Sequence, residues 1–437
     1  MQFSRRDLIG LWVVAFAASA IVGTHGIVYW DAGDYVTLAI DGGRSGLLLG
    51  RPLFLLVSRT IVDVILHAGI DAAWAEPVLR WFWTAVSACA APAMALLATR
   101  LGLERRAAWI AGAMIAVSPS FAHTAHQVLT DAPALALSIA ALAAAAANRA
   151  VLAGVLLGSA ILTRETAAIH VVAIVLLLGA RRSVVAVLSA AVVIALTLVA
   201  FPPAGLAQWF SAMSQSAGTR PVSVRSIGLS VAWIVAAGPI PVIAGIFALA
   251  SLRNRRLLTV ALPAALATVA LLFYPEGSYS PRYMLASAPI AFFIPAAAWL
   301  SSRRWLAVIG LAVPIALVPI ATRASRDVAA RGAVIQNRVQ FLPARSLVVP
   351  GHYCPQARLG AVIAKRADLG MLCPGWDWPA DPGSALDAAQ ADGRPVAISL
   401  NTADWWGDRE RADFDAVAAW ANGRHGMDIA GFLVVDR

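Results

Sequence analysis

The sequence predicts an α-helical polytopic membrane protein of about eleven transmembrane helices, followed by a small C-terminal α/β domain. Three observations carry this expectation. Of 437 residues, 60% are hydrophobic and only 13% are charged, roughly half the charged share of a soluble globular protein. Apolar runs approaching the roughly 20 residues a bilayer requires recur as far as Ala321. Beyond Thr322 the hydropathy falls and short apolar strands alternate with helices. Together these exclude a soluble enzyme, a disordered chain and a fibrous repeat protein.

The net charge is +10, from 34 basic and 24 acidic residues. Its placement argues against nucleic acid as a partner. The basic residues are arginines except Lys365, and they sit in short clusters between apolar runs, as the positive-inside rule expects. Three cysteines are too few for a disulfide scaffold. No Walker A pattern is present, so nothing points to ATP coupling.

The first span runs from Leu8 to Val28, behind Arg5 and Arg6. Ala18-Ser19-Ala20 resembles a cleavage site and Ser4-Arg5-Arg6 a twin-arginine start. The apolar run continues past Ala20 and many spans follow, so an uncleaved anchor is expected. Further spans fall at about Pro77–Ala98, Ala107–Pro119, Ala132–Ala147, Val151–Leu162, Ala167–Ala180, Ser183–Phe201, Ile227–Ala250, Leu257–Phe273, Met284–Leu300 and Trp305–Ala321. Arg5/Arg6, Arg100/Arg105/Arg106, Arg149, Arg181/Arg182, Arg253/Arg255/Arg256 and Arg303/Arg304 then share the cytoplasmic side. This alternation requires that Pro52–Ala68 does not cross. That segment carries Arg59, Asp63 and His67 as a polar stripe, which fits an interfacial or re-entrant helix. The expected division is a transmembrane domain, 1–321, with a first external loop at about 29–75, and an extracytoplasmic α/β domain, 322–437.

In the C-terminal part, Ser346–Pro350, Leu369–Cys373, Pro395–Leu400 and Ile429–Val435 read as buried strands. Gln356–Ala367, Gly383–Ala391 and Asp408–Gly423 read as helices, so a small parallel sheet is expected. The loops after the first three strands are aromatic: Gly351-His352-Tyr353-Cys354, Pro374-Gly375-Trp376-Asp377-Trp378, and Asn401 to Trp405-Trp406. In an open α/β sheet such loops lie at one edge, where ligands bind; packing of a small domain explains them equally. Cys354 and Cys373 follow the first two strands, so a disulfide is feasible if those strands are neighbours. Cys89 lies within a span and reads as a packing residue.

The candidate chemistry lies in the outer loops. Tyr29-Trp30-Asp31-Ala32-Gly33-Asp34-Tyr35 places two acids just outside the first span. At i, i+3 they share a face if a helix begins here. A carboxylate there can take a proton from an acceptor hydroxyl or amine; the plain alternative is that Asp31 caps the helix. Asp131 opens the fourth span, as a cap or as a residue that positions the acceptor or a metal. His123 and His126 are nearby, but two histidines at i, i+3 do not define a metal site. No metal ligand is therefore assigned and no cofactor is identified; a divalent metal is left open. Arg51, Arg164 and Arg282 run against the positive-inside trend on the outer side. Arginine suits bidentate phosphate recognition; the plain alternative is pairing with Glu165, Glu276 or lipid headgroups.

In this order the motifs resemble the GT-C superfamily of polyprenyl-phosphate-dependent glycosyltransferases. The nearest likeness is to bacterial members related to lipid A aminoarabinose transferases and protein O-mannosyltransferases, of families 39 and 83. The matching elements are Asp31 four residues before Tyr35, Arg51-Pro52-Leu53, Glu76 to Arg80, and Ser118-Pro119. Leu129-Thr130-Asp131-Ala132-Pro133, Leu162-Thr163-Arg164 and Arg282-Tyr283 through Pro289 complete the set, over about residues 1–321. The resemblance implies a sugar carried on polyprenyl phosphate and passed to a lipid, glycan or protein acceptor outside the inner membrane. It implies Asp31 as catalytic base, with Asp34 and Asp131 in the catalytic set, and transfer with inversion. Arg51, Arg164 and Arg282 would hold the donor phosphate. Tyr35, His123, His126, Glu165, Tyr279 and Tyr283 would line the substrate site. The loop Pro202–Ser226, with Trp209, Arg220 and Arg225, would close over the lipid. The chain departs from many relatives in having Ala32 where a second acid follows the first, which leaves metal dependence open. Lysines common in relatives at the positions of Arg51 and Arg164 are arginine here, which keeps the charge.

Two other classes compete. A flippase of lipid-linked sugars would need a polar path through the membrane, with repeats and broken helices; no internal repeat is evident and the strong charges lie in outer loops. A non-catalytic envelope assembly factor would leave the acids and arginines unexplained.

Overall fold

The structure is a computed structural model that describes residues 3–23, 26–42, 51–201, 222–236, 238–251, 254–273, 281–374, 378–379, 381–405 and 407–435. In chain order the helices are α1 (Arg5–Val22), α2 (Trp30–Asp41), α3 (Pro52–His67), α4 (Ala75–Ala88), α5 (Ala90–Arg100), α6 (Arg105–Val117), α7 (Pro119–Ala125), α8 (Asp131–Ala146) and α9 (Ala150–Thr163). They continue as α10 (Val171–Ala200), α11 (Val224–Ala236), α12 (Pro239–Ser251), α13 (Arg255–Leu272), α14 (Ala288–Leu300), α15 (Arg304–Arg338), α16 (Cys354–Ile363), α17 (Pro382–Ala391) and α18 (Gly407–Ala421). The chain divides into two compact units. One is Met1–Thr24, Arg44–Thr60 and Val78–Arg323; the other is His25–Gly43, Ile61–Pro77 and Ala324–Arg437. Two pieces of the first external loop thus group with the C-terminal segment, although the sequence places them in the transmembrane domain.

The first unit is a helical bundle with an alanine-rich core. Its arginine-rich ends double as helix starts. At α1, Ser4 and Asp7 form a capping box, and Arg105 donates two hydrogen bonds to Asp7 at 2.8 and 2.9 Å. At α13, the Asn254 side chain accepts from the Arg256 and Leu257 amides. Small residues let helices approach closely. Gly158 of α9 faces Ala190 of α10, where a Cβ would lie 2.9 Å from the Ala190 carbonyl oxygen. Four residues earlier, Gly154 faces Ala186 in the same way.

Among the described residues, three helical stretches are long and apolar enough to cross a membrane: Ala72–Arg100, Glu165–Ala200 and Arg255–Leu272. A fourth is added if Val224–Val235 and Pro239–Ala250, bent by 97°, count as one broken span. About eleven are expected from the sequence. Part of the difference lies in Glu165–Ala200, where Gly179 has φ 69° and ψ 168° and divides the two spans expected on either side of Arg181-Arg182. Another part lies in four shorter apolar helices, Asp131–Ala146, Ala150–Thr163, Ala288–Leu300 and Arg304–Leu317. At about 1.5 Å per residue these fall short of a hydrocarbon core of about 30 Å. Ile227–Ala250, expected as a single span, is broken between α11 and α12. Pro52–His67 is a helix and is not among these apolar spans.

The second unit is built on a five-stranded sheet of β1 (Leu347–Val349), β2 (Gly370–Met371), β3 (Val396–Ile398), β4 (Met427–Ile429) and β5 (Phe432–Val435), in the order β2-β1-β3-β5-β4. The first three strands are parallel, as expected, but β3–β5 and β5–β4 are antiparallel. The single strand expected at Ile429–Val435 is instead a hairpin. Ala430 and Gly431 have φ values of 54° and 81°, and two successive positive φ angles turn the chain back in the sense a twisted hairpin needs. Side chains alternate between two cores. Val349, Val396, Ile398 and Val435 pack with Leu386, Trp405 and Val417. Val348, Ala397 and Val434 pack with Ile335, Val339 and Tyr353. The presence of Ile335 shows that α15 continues well past the expected end at Ala321.

Candidate active site

In the C-terminal unit, α2 begins at Trp30, with Tyr29 in the cap position and no side-chain cap. Asp31 therefore lies in the first turn and does not cap the helix. Asp34 follows one turn later and is half-buried. The Arg358 Nη1 of α16 stands 4.0 Å from its Oδ1. Gly33 lies between the two acids because α16 crosses there: a Cβ would lie 2.7 Å from Pro355 Cβ. The Gln356 amide donates to the Ile27 carbonyl at 3.4 Å. The Trp30 ring meets His352 edge-on at 5.8 Å, and His352 Nδ1 lies 3.0 Å from Glu410 Oε1. Tyr35 is fully buried. Cys354 and Cys373 are bonded, with Cα atoms 5.6 Å apart; their strands β1 and β2 are neighbours.

In the helical unit a second group assembles. Helix α9 ends at Thr163, and Arg164 takes an extended backbone (φ −157°) before a short 3₁₀ turn at Glu165–His170. Its guanidinium turns inward. Nη1 donates to Thr130 Oγ1 and to Asp131 Oδ2, both at 2.9 Å. Both ion-pair side chains are 2% exposed. Asp131 is therefore the buried partner of Arg164, a pairing not anticipated from sequence. The guanidinium also stacks on the Tyr283 ring, 4.3 Å from its centroid. Arg51 immediately precedes α3 with φ 48°, an unusual value for a side chain other than glycine, and its Nε is 3.8 Å from Glu165 Oε2. Arg282 is buried in the 3₁₀ turn Pro281–Ala286. The charges of Arg51, Arg164, Arg282 and Glu165 all act on the Tyr283 phenol. The structure thus brings together Arg51, Asp131, Arg164, Glu165, Arg282 and Tyr283.

His126 is placed differently. Its Nδ1 lies 3.0 Å from Thr84 Oγ1, its ring meets Trp81 edge-on, and Gly23 leaves room for it: a Cβ there would overlap the imidazole. These are packing contacts. Among the described residues, no three of His, Cys, Asp and Glu gather as a metal site, so His123, His126 and Asp131 do not form the set weighed from sequence. Tyr279 and Glu276 lie outside the described residues, as do Trp209, Arg220, most of Pro202–Ser226, Trp376, Asp377 and Trp406. Sequence reasoning missed Arg358 and Glu410, and it noted Thr130 within a motif without pairing it with Arg164. Each sits in an ordinary polar position, and only the tertiary contacts single it out.

No protein-family model matches the sequence, and no curated protein aligns with it. Among solved structures, the chain is similar to ArnT from Cupriavidus metallidurans bound to undecaprenyl phosphate. The TM-score is 0.61 at 15% identity, over 98% of this chain and 97% of that one. The apo state of the same protein gives 0.59 at 16% identity, over 98% and 96%. The archaeal oligosaccharyltransferase AglB from Archaeoglobus fulgidus, in complex with an inhibitory peptide and a dolichol-phosphate, gives 0.52 at 12% identity, over 95% and 71%. The fold of this chain is that of these proteins.

Proposed function

We propose that this chain is an integral membrane glycosyltransferase that moves a hexosyl or pentosyl unit from polyprenyl phosphate to an envelope acceptor, on the periplasmic face of the bacterial inner membrane. The observation that carries the reading is the buried cluster around Tyr283. Arg51, Arg164 and Arg282 are 5%, 2% and 7% exposed, with Arg164 bonded to Asp131 and Arg51 3.8 Å from Glu165. Buried guanidinium groups require anions beside them. A phosphate is the anion that planar arginine forks suit best. The likeness to ArnT, solved with undecaprenyl phosphate, supports the same choice.

In this reading Asp31 takes the proton of an acceptor hydroxyl or amine. The acceptor atom attacks the anomeric carbon with inversion, and the bond to the phosphate oxygen breaks. Its electron pair leaves on polyprenyl phosphate, where Arg51 and Arg282 stabilise the charge. Asp131 fixes Arg164 for the same task. Asp34 is the companion carboxylate of Asp31. The acceptor is a lipid, glycan or protein.

The test is binding of undecaprenyl phosphate to the purified full chain in nanodiscs, read by native mass spectrometry. Arg51→Ala and Arg282→Ala should each weaken binding about tenfold or more, and undecaprenol without its phosphate should bind poorly to every form. Equal binding of the phosphate and the alcohol by the wild type would remove the reading.

A further inference from the structure

Helix α16 grips the acidic helix α2 at successive points, all within the C-terminal unit. Pro355 fills the space at Gly33, Gln356 reaches the Ile27 carbonyl, and Arg358 stands 4.0 Å from Asp34. Just before α16, His352 meets Trp30. Cys354, the first residue of α16, is bonded to Cys373 beyond β2. The Arg358 guanidinium and the Asp34 carboxylate are 26% and 18% exposed, so the pair is only partly screened by water.

We propose that α16 is the positioning element for transfer, with Arg358 its acting residue and the Cys354–Cys373 bond its anchor. Arg358 holds Asp34, and through it the rotation of α2 that presents Asp31, one turn earlier on the same face. The inference rests on the reading of Asp31 as base. It gives the C-terminal domain a task in the chemistry.

The experiment uses the full chain with Arg358→Gln, Arg358→Lys and Asp31→Asn. Amide hydrogen exchange across α2 is measured in nanodiscs. Transfer is measured in a complemented deletion strain as loss of the polyprenyl-phosphate sugar pool. Arg358→Gln should speed exchange in α2 about fivefold and slow transfer on the order of tenfold; Arg358→Lys should restore most of both. Asp31→Asn should abolish transfer with α2 exchange as in the wild type.

If Asp31→Asn is inactive while Arg358→Gln matches the wild type, the positioning role is wrong and the proposed function stands. If Lys is as damaging as Gln, Arg358 is packing and the inference also fails. If Asp31→Asn is fully active, the reading of Asp31 itself falls. Should Arg358→Gln lose protection in β1 and β3, the double variant Cys354→Ser/Cys373→Ser carries the test. Its α2 must lose more protection than β1 and β3 lose, and an α2 no more affected than the sheet overturns the proposal.

Discussion

Asp131 and Arg164 show how a residue's role depends on its tertiary partner. Both are 2% exposed at the side chain and joined at 2.9 Å. Removing one leaves the other charged and buried, at a cost of about 3–5 kcal/mol. Asp131→Ala or Arg164→Ala should therefore lower thermal stability in detergent sharply, and a variant melting like the wild type would contradict the assignment. Sequence reasoning singled out both residues and did not pair them, because they lie 33 positions apart on separate elements. Asp368 makes a second prediction. The Arg366 fork, donating at 2.8 and 3.0 Å, and the Arg345 amide hold its carboxyl well below the ordinary carboxylate range. A depressed folded value stabilises the fold above the unfolded pKa, about 3.9, and that stability is lost as pH falls through the folded value. The stability gap between wild type and Asp368→Asn should be full near neutrality and shrink only below about pH 4, as read by unfolding at stepped pH. A gap that closes already near neutrality would rule this out.

At the scale of elements, the crossing of α2 and α16 depends on glycine. A Cβ at Gly33 would lie 2.7 Å from Pro355 Cβ, and overpacking of this kind costs about 1–3 kcal/mol. Gly33→Val should loosen α2 in hydrogen exchange and leave β1–β3 protected; unaltered α2 protection would show that the helices do not meet there. The disulfide closes a loop between residues 19 apart, which on loop entropy stabilises the C-terminal unit by about 3 kcal/mol. Reduction should lower its unfolding temperature, measured on the full chain by sheet-specific exchange. The strand–helix alternation was legible because hydrophobic period and turn residues are local signals. The β4–β5 hairpin was not, because its turn is Ala430-Gly431 and alanine at φ 54° is not a usual turn residue. The break at Gly179 was readable from Arg181-Arg182 beside a glycine. The bend between α11 and α12 lacks such a charge cluster, and its local signal is the Gly238-Pro239 step, which the reading of Ile227–Ala250 as one span passed over.

For the whole molecule, apolar composition and arginine placement announced a membrane protein, and the order of short motifs pointed to the fold shared with ArnT and AglB. The grouping of His25–Gly43 with Ala324–Arg437 was hidden, since nothing local in Trp30–Asp41 says which distant segment it packs against. The central claim is that Asp31 activates an acceptor against a polyprenyl-phosphate sugar. Its most direct test is lipid mass spectrometry of a deletion strain of the source organism, complemented with wild type or with Asp31→Asn at matched protein levels. The account predicts that a polyprenyl-phosphate sugar accumulates with Asp31→Asn while one envelope glycan modification disappears, the mass identifying the donor. An unchanged lipid pool and unchanged glycans, with the wild type active, would contradict it.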